Sequence, residues 1–425
     1  MTTEAYDVII IGSGIAGLYA ALQLQRRGRR ILLVEKEGVI GGRTSTFKQK
    51  INGLDLQWEA GAGRISENHT MVRALIRKYG LTWIPIKGHP SFIEDYGSQP
   101  EDAPFEHGFP VFFHPVAALP AEDLATHTLR ELLTRVHGPK VTDEYLLRYP
   151  YRGEVDTLRA DMALELFRHE MSLTERYGIC AEGYSAIVEA MHKEFESKGG
   201  ATLMKHLCVE VQGGLKAPVT VSLSKEGEPV ILTCRHCILA VPAAVLKSIK
   251  PMSRWKGLGR VQMRPLLRMY GTFPLEDGKL WTEEVGRIVT PQPIRYMIPG
   301  NPAIGSVQIS YTDSQDAEYW KKKLDAVGER KVAEEVVDEL RRLIKPTIPG
   351  PTFVKSHFWE HGVTYWLPGK YDPRAVSREA YHPLPELPNV HICGESFSLR
   401  QAWVEGALEH SAGLVRTLDK KLSHR

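Results

Sequence analysis

The chain has 425 residues, 43% of them hydrophobic and 25% charged, with a formal net charge of +3. That length suits two interleaved domains better than one small core, and the slight charge excess, without a basic block, argues against nucleic acid or an anionic membrane as a partner. No apolar run reaches the roughly eighteen residues of a membrane span, and the five cysteines are scattered without a disulfide framework, so the expected location is cytoplasmic.

In chain order, Val8 to Ile11 is a short apolar run of the kind a buried parallel strand shows. Starting so early, it leaves no room for a signal peptide in front of it. Gly12, Gly14 and Gly17 follow at G-x-G-x-x-G spacing, and Ile15 to Arg26 carries an apolar face at helical period. A second apolar run, Ile31 to Val34, ends on Glu35 and Lys36. Together these form a βαβ unit with a dinucleotide fingerprint. Gly12 permits a tight turn, Gly14 lets backbone approach a pyrophosphate, and Gly17 lets helix and strand pack closely. The helix start at Ile15 and Ala16 offers free N–H groups to phosphate. A carboxylate at Glu35 accepts hydrogen bonds from a ribose and disfavours a 2′-phosphate, which argues against NADP. Gly41-Gly42-Arg43 then supplies a second glycine turn and a cation for a diphosphate.

Trp58 to Arg64 contains Gly61-Ala62-Gly63, small residues that suit backbone pressed against a flat ring, and a helix is expected over 69–79. Residues 85–120 read as an irregular insertion rich in Pro, Gly and His, and 122–175 as helical. Helix 185–197 precedes a strand near 202–211, a hairpin of strands 219–223 and 230–234 around Glu226-Gly227, and a strand 238–241 stopped by Pro242. Strands are expected at 266–273, 286–298, 304–311 and 353–359, with one long amphipathic helix over 316–345. Arg295 and Tyr296 are read as ordinary sheet residues, with a place in the substrate cavity as the alternative. Cys234 and Cys237 have C-x-x-C spacing, but no second pair closes a zinc site, so two buried thiols and no metal are expected.

The two ends of the chain carry a family resemblance. Residues 7–43, and Cys393-Gly394-Glu395 with Gln401 to Ala407, resemble the two FAD motifs of the flavin-containing amine oxidase superfamily. The resemblance implies an α/β fold with a Rossmann-like FAD-binding domain of the GR2 type (1–85, 180–250 and 385–425), interleaved with an α+β substrate-binding domain (86–179 and 251–384). It places Gly12, Gly14, Ile15, Ala16, Gly17, Glu35, Lys36, Gly42, Arg43, Gly61, Ala62, Gly63, Arg64, Val209, Gly394, Glu395, Trp403 and Val404 around FAD. Glu395 would hold ribityl hydroxyls. The helix from Trp403 would point its N-terminus at the flavin N1–C2=O edge. Trp403 takes the place of one wall of the family's aromatic cage, with Tyr365 or Trp366 as the other. Arg268 stands where many relatives have a lysine near flavin N5; it keeps the charge but is a poor base. The segment 361–369 lacks the cysteine that links flavin in monoamine oxidases, so the FAD is expected to be noncovalent.

The implied function is FAD-dependent oxidation of a primary or secondary amine to an imine, with dioxygen reduced to hydrogen peroxide. Small-molecule amine and dioxygen are the partners, and a homodimer is compatible with the sequence. Arg64 either contacts the cofactor or, as in L-amino-acid oxidases, grips a substrate carboxylate. An L-amino-acid oxidase, a desaturase or porphyrinogen oxidase, and an FAD-bound scaffold are the alternatives.

Overall fold

The computed structural model describes residues 6–422 except 87, 103–104, 171–175 and 215–216. Its first sheet has seven strands. Ala201–Leu203, Ile31–Val34, Tyr6–Ile11 and Glu228–Leu239 pair in parallel, and Val390–Ile392 joins Glu228–Leu239 in the same sense. Ala217–Lys225 and Leu207–Gly214 extend this sheet antiparallel. Strand alternation sends Ile9, Ile11, Leu32 and Val34 to one core and Val8, Ile10, Ile31 and Leu33 to another. Both faces are therefore buried, which is why these strands read as unbroken apolar runs. Helices Ile15–Gln25, Ser185–Ser197 and Val404–Leu422 contribute to the second of those cores.

The second sheet runs in the order Phe353–Trp366, Val261–Thr272, Ser306–Asp313, Tyr296–Pro299, Arg287–Val289, Pro90–Phe92, Glu101–Asp102. Leu267, Met269, Val307 and Ile309 point to one side, where they pack with Trp320, Val332, Val336 and Leu340 of two helices. Arg268 and Tyr270, one residue out of phase, point the other way. That other side faces the turn at Gly61–Arg64: Tyr270 donates to the Glu59 carbonyl at 2.9 Å and Trp359 to that of Ala60 at 2.7 Å.

Several expected elements differ. The single helix over 316–345 is two, Ser314–Val327 and Glu329–Leu343, because Gly328 sits between them at φ +85°. The insertion at 85–120 is not irregular: it supplies the last two strands of the second sheet and helix Phe105–Ala117, whose Phe113 and Val116 are buried. Pro110 and Pro115 hid that helix; burial of its apolar face outweighs them. The expected strand 202–211 breaks at Lys205, at φ +60°, into strands on opposite edges of the sheet. The segment 286–298 likewise turns at Arg295, at φ +53°. The strand at Phe353 runs on to Trp366, past an irregularity opposite Arg264 and Leu266 and beyond its expected end at 359.

Candidate active site

The two glycine turns meet. Gly14 and Gly41 form a parallel bridge, and the Ser13 carbonyl accepts the Gly41 N–H at 3.1 Å. The glycines here divide into two kinds. A Cβ on Gly12 would lie 2.5 Å from the Ala240 carbonyl, on Gly17 2.0 Å from that of Gly12, and on Gly61 2.0 Å from that of Arg43. Those three are close-packing glycines. A Cβ on Gly14 or Gly394 would meet nothing nearer than 3.8 Å, and one on Gly42 nothing within 4 Å. These three border a cradle that side chains would fill. The N-cap of helix Ile15–Gln25 is Gly14, which has no side chain to cap it, so among the described residues the amides at Ile15 and Ala16 keep their donors for a ligand. The donor set and the vacant space both fit a dinucleotide pyrophosphate.

Two acids anchor this cradle. Glu35 is 7% exposed and accepts from the Ser13 N–H at 2.9 Å and the Ser13 hydroxyl at 2.7 Å. It keeps lone pairs for a ribose. Glu395 is buried and pairs with Arg43 at 2.9 Å. It also accepts from the Thr364 hydroxyl at 2.8 Å and the Ala402 N–H at 2.9 Å. Arg43 is thus already charge-paired, and its guanidinium also donates to the Gly362 carbonyl. Val209 lies at an irregularity of its strand, and its carbonyl accepts from the Lys250 N–H at 3.1 Å. Lys36 is exposed, and its ammonium pairs with Glu37 at 3.0 Å.

The cage forms around Arg64. Its guanidinium carbon lies 5.3 Å from the Tyr151 ring centre, 5.4 Å from that of Tyr177 and 5.6 Å from that of Trp403. Trp403 and Tyr177 are stacked at 5.8 Å and 14°, and His69 meets Trp403 edge-on at 5.0 Å. Arg64 has no hydrogen-bond or ion-pair partner among the described residues. Trp403 directly precedes Val404, where its helix begins.

Tyr365 and Trp366 do not complete this cage. They line a separate cleft of about 190 Å³ together with Leu158, Met162, Leu166 and Gln401. Trp366 is fully buried, its ring N–H on the Ser398 carbonyl at 3.0 Å, at the end of the strand that runs on past residue 359. Tyr177 and Tyr151 are the walls that the sequence reading missed. Tyr177 reaches the site by strand pairing of Tyr177–Cys180 with Ile65–Ser66, a nonlocal contact without a local signature.

Arg268 is 6% exposed and lies 4.4 Å over the Tyr311 ring. A Cβ on Gly63 would meet its guanidinium at 2.8 Å, so Gly63 is glycine to admit that cation beside the Gly61–Arg64 turn. Ala62 is fixed by its N–H on the Arg43 carbonyl at 2.9 Å. Behind the turn, Glu59 accepts from the Tyr184 N–H and the Thr46 hydroxyl, each at 2.9 Å, and burial pushes its carboxyl up to about 7.

A carboxyl with a raised folded-state pKa binds more protons folded than unfolded, so stability falls as pH rises from about 4.5 to about 7. Glu59→Gln keeps an acceptor for Tyr184 and can donate to the Thr46 hydroxyl. Thermal melts should show it stabilised at pH 8, by on the order of 2–3 kcal/mol, and unchanged near pH 4. Equal melting temperatures at pH 8 would show that the Glu59 carboxylate carries no burial penalty.

A family model described as flavin containing amine oxidoreductase matches residues 15–412. The YobN protein of Bacillus subtilis (strain 168) is 24% identical over 456 residues, covering 95% of this chain and 92% of that protein. The L-amino-acid oxidase of Siganus canaliculatus is 23% identical over 473 residues, covering 97% and 85%. Among solved structures, wild-type putrescine oxidase bound to putrescine superposes with a TM-score of 0.77 at 14% identity, covering 98% of this chain and 99% of that one. At that identity the match speaks for the fold.

Proposed function

This chain belongs to the flavin-containing amine oxidoreductase family and is an FAD-dependent amine oxidase; on that premise we propose that its substrate is an amine bearing a carboxylate, as an α-amino acid does. The observation that carries this reading is Arg64, a half-buried cation whose surroundings are aromatic rings and not carboxylates. Three rings gather around the guanidinium, while its N–H donors have no protein acceptor among the described residues. That geometry suits a bidentate carboxylate. Arg268 is a second permanent cation on the same side of the sheet, so a diamine, positive at both ends, is repelled. An amino acid held by its carboxylate presents a single amine instead.

FAD, when bound, supplies hydride acceptance from the amine's α-carbon and passes the electrons to dioxygen, giving hydrogen peroxide. The chain's own residues do the rest. Gly14, Gly42 and Gly394 leave room for the cofactor, and Glu35 and Glu395 offer carboxylate acceptors to its hydroxyls. Trp403 and Tyr177 form a wall that keeps water from the amine, and Arg64 fixes the carboxylate end. Arg268 holds positive charge beside the Gly61–Arg64 turn and cannot act as a base. Attachment is noncovalent on this reading: Cys180, Cys208, Cys234, Cys237 and Cys393 are all buried, and burial raises their thiol pKa values.

The test is anaerobic mixing of the flavin-loaded protein with L-leucine, L-phenylalanine, benzylamine and putrescine, followed by admission of air. Bleaching by the amino acids, with little by the two simple amines, and peroxide on aeration is the expected result. Equal bleaching by benzylamine would overturn the carboxylate reading and leave the amine oxidase. A flavin-loaded protein that none of them bleaches would overturn both.

A further inference from the structure

Glu405 is 1% exposed, and among the described residues no cation pairs with it. Its carboxylate leaves helix Val404–Leu422 and caps another helix, Thr70–Lys78, more than three hundred residues away in sequence. One oxygen accepts the Met71 N–H at 2.7 Å and the Thr70 hydroxyl at 3.2 Å; the other accepts the Val72 N–H at 2.9 Å. These amides belong to the first turn, which has no intrahelical acceptors. A carboxylate there is also favoured by the helix dipole.

The two segments joined this way carry the two halves of the cage. Upstream of Thr70 lie His69, strand Ile65–Ser66 and Arg64; two residues before Glu405 lies Trp403. His69 is held against Ser66, whose N–H donates to its ring nitrogen at 3.2 Å, and touches Trp403 edge-on. Ser66 pairs with Tyr177, which stacks on Trp403. Glu405 is the polar bond that closes this circuit.

We propose that Glu405 is a positioning residue for substrate binding: it sets the spacing between Arg64 and Trp403, and so the affinity for the carboxylate. This rests on the reading of Arg64 as carboxylate anchor. In Glu405→Gln one oxygen becomes an NH₂ that faces a backbone N–H, so one bond becomes a repulsion. In Thr70→Val only the exposed hydroxyl's bond is lost. That variant keeps the test open if Glu405→Gln fails to fold.

Benzoate, a carboxylate on a ring, is the probe, titrated into flavin-loaded protein by its perturbation of the flavin spectrum. The Kd is expected to rise about tenfold in Glu405→Gln and by a smaller factor in Thr70→Val. For L-phenylalanine, KM should rise in step while kcat changes less than about twofold and flavin content holds. A merely structural role would lower flavin content or kcat instead. Unchanged benzoate affinity in a folded, flavin-loaded Glu405→Gln, or in Thr70→Val where the former does not fold, overturns the proposal and leaves Arg64 untouched. A wild type that neither binds benzoate nor is reduced by L-phenylalanine overturns the Arg64 reading and this proposal with it.

Discussion

Arg64→Met is expected to lower kcat/KM for L-amino acids by about 10²–10⁴-fold while leaving slow turnover of benzylamine unchanged or improved. Methionine keeps an unbranched chain of similar reach and packs against Tyr151, Tyr177 and Trp403 through its sulfur, so the cage need not collapse. What disappears is the charge. Removing one partner of a desolvated ion pair costs roughly 3–5 kcal/mol, which sets the expected factor. Without carboxylate, a substrate gains nothing from Arg64 and is repelled by it when protonated. Arg64→Lys should fall between the two, since a single ammonium cannot reproduce the two-pronged fork. The readout is steady-state kinetics on both substrate classes. An Arg64→Met enzyme that loses both alike would mean that Arg64 serves the cofactor, which flavin content would reveal directly.

What could be read from the chain and what could not divide along one physical line. The βαβ unit was legible because its determinants are local. Val8 to Ile11 and Ile31 to Val34 are apolar throughout because both sheet faces are buried, and Gly12 and Gly17 occupy positions where a Cβ collides with neighbouring backbone. Arg64 was legible as a candidate because it ends the segment Trp58 to Arg64, and Trp403 because it lies within the motif Gln401 to Ala407. Their partners were not. Strand pairing brings Tyr177 to Trp403, Tyr151 meets Arg64 from the segment 122–175, and Glu405 caps a distant helix. None of these three contacts has a sequence period. Tyr365 and Trp366 were misplaced for the same reason: adjacency to a motif says nothing about which side of a strand a ring takes once the strand runs on through it.

Gly14→Val separates the cradle from the fold. At Gly17 a Cβ would sit 2.0 Å from the Gly12 carbonyl, and at Gly12 a side chain would also meet φ +103°, so substitutions there break the packing of strand against helix. Gly14 is different: its φ is −66°, and the nearest atom to an added Cβ is the Gly41 carbonyl oxygen at 3.8 Å. Valine can therefore be built there at little cost to the protein, although its branches project into the space that Gly42 and Gly394 also border. The expected result is a folded, colourless protein. Its circular dichroism should match that of wild-type apoprotein, with melting temperatures within a few degrees, whereas FAD affinity should fall by more than about 10²-fold, because steric overlap at the pyrophosphate cannot relax without moving the helix start. Wild-type apoprotein is the proper reference, since bound FAD itself adds stability by mass action. A Gly14→Val protein that purifies yellow with normal flavin content would show that the cradle lies elsewhere, and the roles of Glu35 and Glu395 would fall with it. A colourless protein that melts like the wild-type apoprotein would tie the vacant space before Gly14 to the cofactor and to nothing else in the fold.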